Sequence, residues 1–277
     1  MEKKFTQRSF DSEFSTNSEP WGITFDKQNQ RIIVTTRQSP FVTVISRFDF
    51  NPIYSFGNHG SKIGEFYSPS GLCNQPFTNN LLITDYHHHR IQIFDLSEET
   101  KYKPVYTIGP KLNSKLIEFN NPIDICCDID GSMAVINYDD NAHFFDMSGR
   151  YISSLDNSTK NCLFGACYSN SQTQQRHLYV SHRDKKISVW ASSSNHYNHK
   201  HIVDVTTFGY PRGICCDLDG YVYIACETNC VEIREPRMNF SLLQILYVIS
   251  IPINMCVDDN NIIMVVLRDN NKVMLFK

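Results

Sequence analysis

The densest run of chemistry-bearing side chains in the sequence is Tyr86-His87-His88-His89-Arg90. Alternate imidazoles on an extended segment can hold a transition metal, but a zinc site needs three or four ligands in a defined geometry. The run reads instead as a polar loop that meets solvent or a macromolecule. Cys226-Glu-Thr-Asn-Cys230 is a second candidate. A CxxxC pair makes a zinc site only with a second pair nearby in space. Cys162 and the adjacent pairs Cys126-Cys127 and Cys215-Cys216 have no ligand spacing of that kind, so unpaired thiols are expected. No Ser/His/Asp or Cys/His arrangement for nucleophilic catalysis stands out. The expectation is a non-enzymatic protein without metal, cofactor or small-molecule substrate.

That leaves binding. The 277 residues carry 26 basic and 29 acidic side chains, a net charge of −3. Such a balance marks neither a nucleic-acid binder nor an acidic partner surface, so any charge-driven role must come from local segregation of charge. An apolar fraction of 41% with 12% aromatic residues is that of a folded globular chain. Met1-Glu2-Lys3-Lys4-Phe5 lacks the apolar core of a secretory signal. Phe240 to Val257 is apolar, but Gln244, Pro252 and Asn254 interrupt it. It also falls short of the roughly 20 clean apolar residues of a membrane-spanning helix, and two strands joined by a turn describe it better. These features predict a soluble, cytoplasmic chain with no membrane association, and its ten cysteines are expected to be reduced.

The elements that must position any binding residue are set by a repeat. Pro69-Ser-Gly71-Leu72-Cys73 recurs as Pro122-Ile-Asp124-Ile125-Cys126, Pro211-Arg212-Gly213-Ile214-Cys215 and Pro252-Ile-Asn254-Met255-Cys256. Pro20-Trp-Gly22-Ile23-Thr24 opens the series, and Leu163-Phe-Gly165-Ala166-Cys167 has lost the proline. The copies start near 20, 69, 122, 163, 211 and 252, a spacing of roughly 46 residues that suits propeller blades. Each continues through a turn such as Asp128-Ile-Asp130-Gly131 or Asp217-Leu-Asp219-Gly220, where glycine accepts the positive φ of a tight hairpin. Ile125-Cys126-Cys127 and Ile262-Ile-Met-Val-Val266 are apolar at consecutive positions, the pattern of a sheet buried on both faces. The cysteines four residues after the proline position read as small fillers of crowded inner strands. The sequence thus predicts one all-β unit over 1–277, a six-bladed β-propeller of four-stranded antiparallel blades. The last copy ends after its third strand, so residues 1–19 are expected to supply the fourth and close the ring.

Phe56-Gly57-Asn-His-Gly60-Ser-Lys-Ile-Gly64-Glu65-Phe66-Tyr-Ser-Pro69-Ser-Gly71-Leu72, continued by Ile83-Thr84-Asp85 and Arg90-Ile-Gln-Ile-Phe-Asp95, resembles an NHL repeat. The other copies are degenerate, and the resemblance spans nearly the whole chain. It implies a six-bladed NHL propeller like that of TRIM-NHL proteins. In that family the propeller commonly follows RING, B-box and coiled-coil segments, which this chain does not carry, so ubiquitin-ligase activity would need a separate RING. Six-bladed propellers also include calcium-dependent hydrolases and related lyases. Those need several axial Asp, Glu, Asn or His ligands, and Asp124 with Asn254 makes a thin cage.

In propellers the loops between second and third strands share a face with the connections between blades. Here those segments hold Arg37, Arg90, Arg183, Lys185, Arg212 and Arg268, with Lys111, Lys115 and Lys160. Among them stand His87, His88 and His182, and the aromatic Tyr86, Tyr138 and Tyr210. Basic groups interleaved with aromatics suit single-stranded or hairpin RNA, and the resemblance implies RNA binding in post-transcriptional regulation through this face. The alternative is a protein partner, as an interaction scaffold or the substrate-recognition domain of a TRIM-type ligase.

Overall fold

Short β-branched runs separated by Asp, Asn and Gly leave each repeat no choice but a hairpin meander. The computed structural model describes residues 5–97, 101–109, 119–138, 141–155, 163–169, 176–192, 199–236 and 240–277. Within them lie six antiparallel sheets of four strands each. Their innermost strands are Pro20–Asp26, Pro69–Gln75, Pro122–Cys127, Leu163–Tyr168, Pro211–Cys216 and Pro252–Val257. Consecutive inner strands contact one another around the whole series, and the sixth contacts the first. The fold is a closed six-bladed β-propeller.

Closure follows the expected route. Phe10–Ser15 pairs with Lys272–Phe276 as the outermost strand of the sixth blade. Ser9 and Lys277 exchange backbone hydrogen bonds of 2.9 and 3.0 Å at the end of this seam. The sixth blade thereby gains the same four-strand complement as the other five, with Phe10–Ser15 as its outer edge.

The core divides into six apolar clusters, one at each boundary between neighbouring blades. Leu82, Ile91 and Ile93 of blade two meet Ile125, Met133 and Val135 of blade three, for example, and Val34 of blade one meets Val266 of blade six. This explains the unbroken apolar second strands: Met133–Asn137, Val222–Cys226 and Ile263–Leu267 are buried at every position because both sheet faces are covered. Outer strands such as His199–Thr206 are largely exposed.

A polar contact reinforces most boundaries. The residue six places after each blade's start sits at the first hairpin turn, on the face opposite the blade connections. Its side chain reaches into the next blade at five of the six boundaries. Asp26 accepts from the Tyr102 hydroxyl at 2.6 Å, and the Gln75 amide donates to Gly131 O and Met147 O at 3.1 and 2.9 Å. Asp128 pairs with Arg176 at 3.0 Å, Asp217 with Arg8 at 2.8 Å and Asp258 with Arg47 at 2.7 Å. The Asp-Gly turns form as expected, with Gly131 at φ +85 and Gly220 at φ +90.

Phe14 tests the seam. Its ring stacks on Phe50 of blade one at 5.0 Å, so it ties the closing strand across the sixth boundary. Phe14→Ala is expected to cost about 3 kcal/mol, read as a lower urea midpoint at unchanged m-value.

Candidate functional site

Each inner strand breaks register with its neighbour immediately after its first residue. A bulge of this kind re-aims side chains. The residue after the proline position is turned to the mouth of the central channel in all six blades, as Trp21, Ser70, Ile123, Phe164, Arg212 and Ile253. Loops between second and third strands complete the mouth with Arg37, Gln38, Tyr86, His87, Tyr138, Arg183 and Arg268. The cavity so enclosed is about 420 Å³.

Among the described residues no carboxylate lines this cavity, and four arginines do. Three of them are held from behind. Arg212 lies over the Phe164 ring at 4.2 Å while its Nε donates to Glu227 at 2.6 Å. Arg37 stands 5.4 Å over Trp21 and 3.4 Å from Glu19. Arg268 lies between Glu19 at 3.9 Å and Asp269 at 3.5 Å. Arg183 is exposed and has no ion pair among the described residues. Tyr86 sits edge-on to Tyr138 at 6.1 Å and to His87 at 4.8 Å. The mouth therefore offers cations with flat faces beside them, a surface suited to a planar or anionic ligand.

Seven of the residues singled out from the sequence meet here: Arg37, Tyr86, His87, Tyr138, Arg183, Arg212 and Arg268. Others serve the fold. Arg90 is buried, donating to Asp85 at 3.1 Å and to the carbonyls of Ser61, Lys62 and Glu65 at 2.6, 3.1 and 2.6 Å. His88 bonds Asp85 at 2.8 Å. His182 is buried against the Ser188 hydroxyl at 2.5 Å, and burial pushes its pKa down to about 4. Lys185 and Tyr210 form a separate pair beside the mouth, with Nζ 5.0 Å from the ring centre. Lys111, Lys115, Lys160 and Cys162 lie outside the described residues. Trp21 and Phe164 were not singled out, although the repeat contains the signal: both follow the proline position directly, where the register breaks.

The three histidines occupy a 3-10 turn over Tyr86–His88 and the left-handed residue after it, His89. Each has a different environment, since the His89 Nδ1 accepts from Asn121 N at 3.0 Å. No group of three metal-ligating side chains occurs among the described residues. Cys226 and Cys230 face each other across their hairpin. A shared thiol hydrogen bond raises the pKa of Cys226 and draws Cys230 down to about 7.

Below the mouth the channel narrows to a throat. Glycine occupies the second place after the proline position in four blades because a Cβ would strike the next inner strand. One at Gly22 would lie 2.4 Å from Ser70 O, and one at Gly71 2.5 Å from Asp124 Cα. Asp124 and Asn254 are the exceptions, and both line the throat, where Asp124 accepts from Ala166 N at 3.1 Å and Asn254 Oδ1 accepts from Met255 N at 2.7 Å. Burial pushes the Asp124 carboxyl up to about 7, against hydrogen bonds from Ala166 N and Ile125 N.

No family model matches the chain, and no curated protein matches it. Neither comparison supports the NHL-repeat resemblance. Among solved structures, the crystal structure of the WD40 beta propeller domain of Doa1 superposes with a TM-score of 0.66 at 14% identity. The alignment covers 99% of this chain and 97% of that one. The likeness is one of fold.

Asp124 gives a test of the throat. A carboxyl raised from 3.8 to about 7 favours the folded state below its unfolded pKa, and that stability is lost as pH rises through 7. Asp124→Asn, which cannot ionise, should flatten the stability profile between pH 4 and 8. It should gain up to about 4 kcal/mol over the parent at pH 8, read by denaturant unfolding across pH.

Proposed function

We propose that the chain is a non-enzymatic recognition platform that binds single-stranded or hairpin RNA through the mouth of its central channel. The observation carrying this reading is the cavity itself: among the described residues it is lined by four arginines and no carboxylate, interleaved with Trp21, Phe164, Tyr86 and Tyr138. A volume of about 420 Å³ lies within the usual range of small-ligand sites and suits one unstacked nucleotide. Base stacking on such rings is worth about 1–3 kcal/mol per base and tolerates any sequence. Arginine planes already laid over Trp21 and Phe164 extend the stacking surface.

The charge arithmetic sets the expected affinity regime. Glu19 and Glu227 offset part of the arginine charge, leaving Arg183, Lys185 and a share of the Arg37–Arg268 pair to meet phosphates. With about three phosphate contacts on a single strand, log K should fall with log salt at a slope of about −2, so raising salt from 50 to 200 mM costs roughly 20-fold.

One observation favours a second reading, a protein partner. Phe41, Tyr67, Phe208 and Tyr210 are 44–62% exposed on the loops around the same mouth, and such side chains suit a peptide as well as a base. A pool of labelled single-stranded and hairpin RNAs titrated at two salt concentrations separates the readings. Micromolar binding with the stated salt slope is expected. Arg183→Glu with Arg268→Glu should lower affinity at least about tenfold, whereas Lys200→Glu on the exposed outer strand of blade four should leave it unchanged. Absence of binding at low salt excludes RNA and leaves a protein partner.

A further inference from the structure

The opposite mouth of the channel has a different chemistry. It opens on a cavity of about 320 Å³ lined by seven cysteines: Cys73, Cys126, Cys127, Cys167, Cys215, Cys216 and Cys256. Four of them form two close pairs. The Cys73 and Cys127 sulfurs lie 3.4 Å apart, and those of Cys167 and Cys216 lie 3.5 Å apart. Each pair joins inner strands of consecutive blades, two to three and four to five.

The repeat explains why these pairs form. In both, the cysteine four places after one blade's start meets the residue five places after the next blade's start. That second place holds Cys127 and Cys216, and elsewhere Phe25, Asn74, Tyr168 and Val257. The doublets Cys126-Cys127 and Cys215-Cys216 thus each contribute their second thiol to the preceding blade. The same juxtaposition arises twice and independently, at alternate boundaries.

We propose that hydrogen peroxide entering this mouth converts Cys73 with Cys127, and Cys167 with Cys216, into disulfides that staple blade two to blade three and blade four to blade five. The partner sulfur and burial hold Cys73 and Cys167 protonated, so the attack is assigned to Cys127 and Cys216: the thiolate attacks a peroxide oxygen, the O–O bond breaks, and a sulfenic acid and one water result. The partner thiol then attacks the sulfenic sulfur, expelling the second water as the S–S bond forms. Two thiols and one peroxide give one disulfide and two waters, and peroxide takes up both electrons. The sulfurs must close from 3.4–3.5 Å to about 2.05 Å, a displacement within reach of side-chain rotation on neighbouring strands.

The staples matter because, among the described residues, no hydrogen-bonded ladder joins one blade to the next: each described sheet is confined to its own blade. The disulfides would close loops spanning 54 and 49 residues, long enough for cross-linking to restrict the unfolded chain strongly.

The test uses the full chain and peroxide itself. After exposure and quenching, remaining thiols are alkylated and the protein is digested without reductant for peptide mapping, with calorimetry in parallel. Cys73–Cys127 and Cys167–Cys216 linked peptides are expected, reversible by dithiothreitol, with a Tm rise of at least about 5 °C. Cys127→Ser should remove the first linkage and spare the second. The proposal is overturned if all four thiols remain alkylatable, if they proceed to sulfinic acids, or if Cys226–Cys230 is the disulfide that forms instead. Mapping the parent protein decides the matter even if the variant does not fold.

Discussion

The constraint on which the structure depends is the crowding of six inner strands around one axis. A Cβ at Gly213 would lie 2.6 Å from Asn254 Cα, and one at Gly165 would lie 3.0 Å from Arg212 O. Strands this close cannot carry ordinary side chains into the channel at successive positions. The register break after the first residue of each strand relieves the crowding by turning one side chain up to the mouth and leaving the next place to glycine. The binding surface is thus a by-product of closing the ring: the residue each blade places after its proline is the residue the mouth displays.

Asp124 and Asn254, the two residues that break the glycine rule, divide the channel. Above them the lining is arginine and aromatic; below them it is sulfur. Because Asp124 accepts from Ala166 N and Asn254 Oδ1 from Met255 N, neither is left as an unpaired polar group at the throat. The same arrangement holds a carboxyl where burial favours its neutral form.

Charge segregation follows from the same architecture. A chain with a net charge of −3 presents arginines at one mouth because several of its carboxylates are consumed at the other end. Asp26, Asp128, Asp217 and Asp258 are buried at the first hairpin turns, where they hold the next blade. Buried pairs of this kind are costly to break once formed, since removing one partner strands the other charge. The apolar clusters supply most of the attraction between blades, and these clasps fix how neighbouring blades sit. Glu19 and Glu227 have a different part: they orient Arg37 and Arg212 against Trp21 and Phe164, so the mouth is arranged before any ligand arrives.

The sequence by itself determined the blades. Proline-led repeats, doubly buried apolar runs and Asp-Gly turns are local patterns, and local sterics and period translate them into strands and hairpins without reference to the rest of the chain. Even the ring closure was legible, because a last copy lacking its fourth strand requires one from elsewhere. Residue type also marked the cations of the mouth, but it could not separate Arg183, which has no ion pair among the described residues, from Arg90, which is spent on Asp85 and three carbonyls. Nor could it distinguish His87, exposed at the mouth, from His182, buried against Ser188. Only the tertiary structure decided which side chains come together across blade boundaries and across the channel, because they lie some fifty residues apart or more and their meeting depends on how closed sheets pack around an axis. Trp21 and Phe164 at the mouth, Asp124 and Asn254 at the throat, and the paired thiols of the far end all belong to that class.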